Sequence, residues 1–245
     1  MKKSGQLTIF IILAIVIIAA VFLFFAIQTD FIKQPSNPDA ERIRNFVQSC
    51  IEEESEKIIY QIGQNGGYYF PTNLSTDSGI AIYYQNGKTY VPTKKQIEDE
   101  ISFFLNQKLF FCIKNFVDFP DLEISQKEAK TKTKIQENKI VFNVNYPITI
   151  RKGEDVSALN SFETEIPVRI GIVYDSIAEF MQEQTESEGI CLSCLLEISE
   201  KNDLYFEMLD YDEETTLFLI RDKNSKINDE EFVWVFANRY KVLDE

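Results

Sequence analysis

From Leu7 to Ile27 the chain runs 21 residues without a charge, and Thr8 is the one polar side chain among them. Coiled as an α-helix at 1.5 Å per residue, this run is about 31 Å long, which matches the hydrocarbon core of a bilayer. The apolar stretch of a secretory signal is shorter, roughly 7–15 residues, and closes on a small-x-small cleavage site. Here the run closes on Phe24-Phe25-Ala26-Ile27-Gln28, a poor site of that kind. A buried core helix is the alternative, but an unbroken apolar run on every face predicts a membrane span over 7–27.

The flanking charges give a direction. Lys2, Lys3 and the terminal amine precede the run, while Asp30 and a lone Lys33 follow it. The positive-inside rule then places the N-terminus in the cytoplasm and residues 31–245 outside, as in a single-pass signal-anchor protein of the cell membrane. The expected layout is a cytoplasmic leader over 1–6, a transmembrane helix over 7–27, a tether over 28–37 and an extracytoplasmic α+β domain over 38–245. A sub-boundary near residue 168 is a further candidate.

The string Lys2-Lys3-Ser4-Gly5-Gln6-Leu7-Thr8 resembles the class III signal peptide of archaeal type IV pilin-like proteins. The resemblance implies cleavage between Gly5 and Gln6 with the apolar helix retained. It covers only the first 27 residues or so. Phe10 stands where many pilins carry a glutamate, and Pro35 and Pro38 break the helical path that a pilin stalk usually continues. The ectodomain layout looks like that of uncharacterised single-pass archaeal envelope proteins, which implies no activity.

Charge and composition exclude several classes. Lys2, Lys3 and Asp30 are the only charges in residues 1–30, so the net charge of −14 becomes −15 over the remainder. An acidic body without a Lys/Arg stripe repels phosphate backbones, so nucleic acid is not an expected partner. The chain has no histidine. That removes Ser-His-Asp and Cys-His catalysis and His-ligated zinc, and it weighs against an enzyme. No cofactor or metal is expected. The partners in prospect are the bilayer through residues 7–27, and protein contacts or self-assembly at the surface.

Beyond the tether, Asn37 and Pro38 form a helix start. Ile43, Phe46, Val47, Cys50, Ile51, Ile58, Ile59 and Ile62 share one face of that helix, which Gly63 and Asn65-Gly66-Gly67 end. Ile80–Tyr84 and Lys88–Val91 flank Asn86-Gly87, the strongest two-residue hairpin signal, with Tyr83 opposite Tyr90. Thr93 and Gln96 predict a capping box and a helix reaching about Phe116, with Ile97, Ile101, Phe104, Leu105, Phe111 and Cys112 inward. Residues 122–135 read as one polar edge strand, and Ile140–Ile150 alternates cleanly. Phe162, Thr164, Ile166 and Val168 continue that sheet. A third helix over 170–186 precedes strands at 204–209, 217–220 and 232–237, the last two apolar on both faces and hence central. The whole predicts about three helices on antiparallel sheet, a hairpin plus two three-stranded groups.

Outside the cytoplasm, four cysteines point to two disulfides. Of three connectivities, Cys50–Cys112 with Cys191–Cys194 is favoured, because two helices packed by their apolar faces bring the first pair together. The functional rival is a thiol-disulfide oxidoreductase or chaperone built on Cys191 and Cys194. Such sites usually open a helix, with flanking Trp, Gly or Pro that are missing here. A four-cysteine zinc site needs a second CxxC. The acidic strings Asp210–Glu214 and Asn228–Glu231 fall in turns, and the calcium-loop spacing fails at Val233. Gly63–Gly67 lacks the lysine and spacing of a phosphate loop. Asn73-Leu74-Ser75 is a glycosylation sequon, and Tyr68, Tyr69 and Phe70 with the hairpin tyrosines offer a third class, a tethered ligand-binding domain. No catalytic residues are assigned. The leading expectation is an envelope protein of structural or interaction type, pilin-like in its leader.

Overall fold

The computed structural model describes residues 17–18, 37–185 and 189–240. The membrane run over 7–27, the Gly5-Gln6 processing site and the tether through residue 36 lie outside them, apart from Ile17 and Ile18. Among the described residues no helix is long and apolar enough to cross a membrane. Residues from Arg42 onward group as one compact unit, and residues up to Glu41 as another.

The chain is α+β. In order come α1 (Pro38–Gln64), β1 (Ile82–Gln85), β2 (Lys88–Thr89), α2 (Lys94–Ile113), β3 (Glu123–Gln126), β4 (Lys130–Ile135), β5 (Ile140–Lys152) and β6 (Asp155–Ile166). Then follow α3 (Ile170–Gln184), α4 (Leu192–Asn202), β7 (Tyr205–Asp210), β8 (Thr215–Ile227) and β9 (Glu230–Arg239).

Local signals explain most of these boundaries. The Asn37 carboxamide accepts from Asp39 N–H at 3.0 Å and caps α1. Gly66 and Gly67 end α1 with φ of +63° and +87°, a conformation that glycine adopts without strain. Gly63 has a different role: a Cβ there would lie 2.6 Å from the Val233 carbonyl, so it lets α1 abut β9. Both halves of the Thr93–Gln96 capping box form at the start of α2. Asn86 and Gly87 turn the first hairpin with both φ positive, and Tyr90 N–H donates to Tyr83 O at 2.7 Å in the expected register. The ring that stacks on Tyr83 is not Tyr90, however, but Phe236 of β9 at 4.7 Å.

Two sheets result. The first has order β2-β1-β9-β8-β7. The hairpin is therefore no separate group. It joins the C-terminal strands, and β1 runs parallel to β9, so the sheet is mixed rather than antiparallel. A parallel pair needs a long crossover, which the chain between these strands supplies. Tyr83, Phe236 and Phe218 stack side by side across three strands, and Phe180 of α3 closes over Phe218 at 5.3 Å. The apolar strands β8 and β9 occupy the central positions that their composition predicts.

In the second sheet β5 is the spine. β6 lies along one edge, and β3 and β4 share the other in tandem. The segment read as a single edge strand over 122–135 is thus broken at residues 127–129. Ile140, Phe142, Val144, Tyr146, Ile148 and Ile150 are all buried, as the alternation requires.

Helices close both edges of this sheet. On the free side of β4, the N–H groups of Thr131, Thr133 and Ile135 donate to Asn106 Oδ1, Ser102 Oγ and Glu98 Oε1 at 2.9, 3.0 and 3.0 Å. The register follows from geometry, since every second strand residue advances about 6.6 Å and every fourth helical residue about 6 Å. On the free side of β6, the Ser161 and Glu163 carbonyls accept from Arg44 and Gln48 of α1 at 3.4 and 3.1 Å. The Cys50–Cys112 disulfide, with Cα atoms 5.9 Å apart, ties these two covering helices together.

Two further readings are corrected. A fourth helix, α4, opens at the CxxC and buries Leu195 and Ile198. The second helix stops at Ile113, and Phe111 faces outward with 68% exposure, while Leu109 and Ile113 are buried. Each four-residue step of an α-helix advances about 40°, so the inward stripe that starts at Ile97 has rotated past Phe111 by the last turn.

Candidate functional site

The outward side of α2 carries Phe103 and Phe110, 56% and 59% exposed and seven residues apart on one face. They wall a hollow of about 700 Å³ that opens where the edge strand breaks between β3 and β4. Asn106 and Gln107 of α2, Asn115 and Gln126 supply amides, and Tyr146 lies in the lining. Lys127 and Lys130 stand at the rim, each on one side of the break. A hollow of this size with aromatic walls and a few polar groups has the dimensions of a small-molecule or oligomer site.

Its polar groups are partly committed. Tyr146 donates its hydroxyl to Gln126 Oε1, and Gln126 Nε2 donates to Asn115 Oδ1 at 2.8 Å. Asn106 Oδ1 accepts from Thr131. Among the described residues the amide N–H groups of Asn106 and Asn115, and both ends of Gln107, have no hydrogen-bond partner and face a ligand's position. Burial pushes the Tyr146 phenol up to about 12, so it is neutral at physiological pH.

The backbone that delivers Asn115 is unusual. Lys114, Asn115 and Phe116 have φ of 47°, 52° and 58°, three consecutive non-glycine residues in the left-handed region. Each such residue costs on the order of 1–2 kcal/mol. Conformations of this kind cluster at ligand sites, where the surrounding structure holds them in place. Here the Cys112 disulfide lies directly before the turn, and Phe116 is anchored after it against Phe46 at 6.2 Å.

A second, larger hollow of about 1000 Å³ adjoins the first across Lys127, Glu128 and Lys130. It lies over the outward face of the β4-β5-β6 sheet, where cross-strand rows read Lys130–Asn145–Ser161 and Lys132–Asn143–Glu163. A third hollow, between the first hairpin and the loop before it, is lined by Tyr68 and Tyr90 but holds only about 240 Å³. The tyrosine-rich hairpin therefore frames the smallest of the three, because Tyr83 is turned into the core, where Trp234 Nε1 donates to its hydroxyl.

The second cysteine pair is bonded, with Cα atoms 5.3 Å apart. Cys191 caps α4 and Cys194 lies in its first turn, with Leu192 and Leu196 exposed beside them. A half-buried chain of hydrogen bonds leads toward this turn: Asn238 Nδ2 to Tyr240 Oη, Tyr240 Oη to Gln184 Oε1, and Gln184 Nε2 to the Gly189 carbonyl. Burial pushes the Tyr240 phenol up to about 12.

The remaining sequence candidates serve structure. Asp212 Oδ1 accepts from the N–H groups of Glu214 and Thr215, which closes the β7–β8 turn and holds its carboxyl below the usual range. Asn228 and Asp229 turn the β8–β9 hairpin with positive φ. Asn73 is exposed in the loop before β1. Sequence reasoning missed the hollow itself, although Phe103 and Phe110, with Asn106 and Gln107 between them, share the face of α2 opposite its core stripe.

Comparison with protein-family models, curated proteins and solved structures finds no match to this chain.

Proposed function

We propose that this is a single-pass, membrane-anchored envelope protein whose extracytoplasmic domain binds a surface ligand without transforming it. Residues 7–27 hold the chain in the bilayer, and residues 31–245 face outward. The observation that carries the reading is the aromatic and amide hollow on α2, whose walls Phe103 and Phe110 stand outside the core. Two bonded cysteine pairs agree with an oxidising compartment. The test is protease accessibility in intact cells against lysed ones. Protection of the folded part in intact cells sinks the placement.

The leader adds a finer form of the same reading, a pilin-like subunit that begins at Gln6. Self-assembly would then use the outer edge of β7, which pairs with β8 alone and exposes Tyr205, Met208 and Leu209. Intact-mass analysis from native membranes separates the forms, since a chain starting at Met1 or Lys2 leaves a plain anchor.

One observation favours a second reading, an envelope thiol-disulfide oxidoreductase. Cys191 sits at the N-terminus of α4, where the helix dipole lowers a thiol pKa. The bonded pair would accept two electrons from a substrate dithiol, leaving two thiols and a substrate disulfide. Disulfide mapping under mild reductant distinguishes it: selective opening of Cys191–Cys194 with turnover of a dithiol substrate supports it, and co-reduction with Cys50–Cys112 refutes it.

A further inference from the structure

We infer that the two adjoining hollows form one track for an acidic polysaccharide, a chain of uronic acid type, and this rests on the binding reading above. The aromatic end has rings for the apolar faces of sugars and open amide N–H groups for their hydroxyls. Phe103 and Phe110 are the walls, and Asn106, Gln107 and Asn115 the donors.

The charge pattern selects the acidic class. The chain carries −14 overall, yet the track is lined by Lys127, Lys130, Lys132 and Arg44 against Glu128 and Glu163. No carboxylate lies within ion-pair distance of Lys127, Lys130 or Lys132 among the described residues. Elsewhere Lys57, Lys94, Lys95, Lys134, Lys139 and Lys201 are each paired with one, whereas Lys88, Lys108, Lys114, Lys223 and Lys226 have no carboxylate partner among the described residues. Lys130 and Lys132 alternate on one strand and so project from the same face of the sheet. They stand about 6.6 Å apart along the strand. An acidic protein segment would satisfy the lysines but leave the amide donors and paired rings without a purpose, so the glycan is the occupant that uses the whole track.

The experiment takes the full-length chain in detergent micelles and titrates an oligogalacturonate by calorimetry, with a neutral cello-oligosaccharide and a poly-glutamate of similar length as competitors. The expected result is oligogalacturonate binding that weakens with salt. Replacing Lys127, Lys130 and Lys132 together by Gln should reduce affinity at least ~10-fold, as should the neutral sugar. Phe110→Ala should reduce it as well, and circular dichroism should show both variants folded. Absence of binding at millimolar oligogalacturonate overturns the proposal, and so does poly-glutamate binding equally well. Either failure, with residues 31–245 still accessible outside the cell, removes the ligand class alone. A folded part found in the cytoplasm removes the reading beneath it.

Discussion

The two sheets solve the same burial problem in opposite ways. In the five-stranded sheet, β9 buries side chains on both faces from Trp234 to Asn238, and stacked rings carry the packing across strands. In the second sheet only one face is buried. Its edges are closed by helix side chains, and its outward face stays wet with Lys, Asn and Glu. A strand buried on both faces, as β9 is, has no surface left to offer a ligand. A sheet buried on one face, with its edge strand interrupted, offers both a face and a notch. The two larger hollows belong to the second sheet for that reason.

The sharpest way to break this comparison is to remove a ring from each region. Phe236→Ala in the stacked row should cost about 3–5 kcal/mol, while Phe110→Ala should stay within about 0.5 kcal/mol. Urea unfolding of the full-length chain measures both, and a comparable loss at Phe110 would mean that the α2 rings belong to the core.

The disulfides extend the contrast. Replacing Cys50 and Cys112 together by Ser frees the two helices that close the second sheet. In the chain-entropy model a loop of this length stabilises by roughly 4 kcal/mol, and the three-residue separation of Cys191 and Cys194 by less than about 2 kcal/mol. Thermal melts of the two double variants should rank in that order.

Edge closure makes a smaller and more specific claim. Glu98→Ala leaves the buried Ile135 N–H without its acceptor and should cost about 1–3 kcal/mol. Lys139→Ala, which removes the exposed pair with Glu165, should cost no more than about 1 kcal/mol. Equal effects would show that water serves β4 as well as α2 does.

A last test of the comparison needs high pH. Tyr146 in the second sheet and Tyr240 beside the first are both pushed up to about 12 by burial. A folded pKa above the unfolded value of 10 gives stability that is complete below pH 10 and fades as pH rises toward 12. Absorbance titration should show Tyr146 and Tyr240 ionising late, with the fully buried Tyr83 raised as well. Normal titration of either would mean that its surroundings are open to water.

How much of this was legible in the sequence depended on range. The Thr93–Gln96 box, the Asn86-Gly87 turn and the alternation from Ile140 to Ile150 involve residues a few positions apart, so local rules place them. The pairing of Cys50 with Cys112 followed from two apolar helix faces. Phe111 was misjudged because a stripe drifts around a helix. Helix α4 was missed because only Leu195 and Ile198 mark its buried face.

The sequence by itself determined the α+β class, the central place of β8 and β9 and an apolar run long enough for a bilayer, and it favoured one of three cysteine pairings. Each rests on periodicity, capping chemistry or length, which neighbouring residues set. Only the tertiary structure decided that the hairpin pairs in parallel with β9, that helices close both edges of the second sheet, and that Phe103, Asn115, Gln126 and Tyr146 meet in one hollow. Those residues come from separate segments of the chain, and which segments meet depends on how buried faces and open edges are satisfied together.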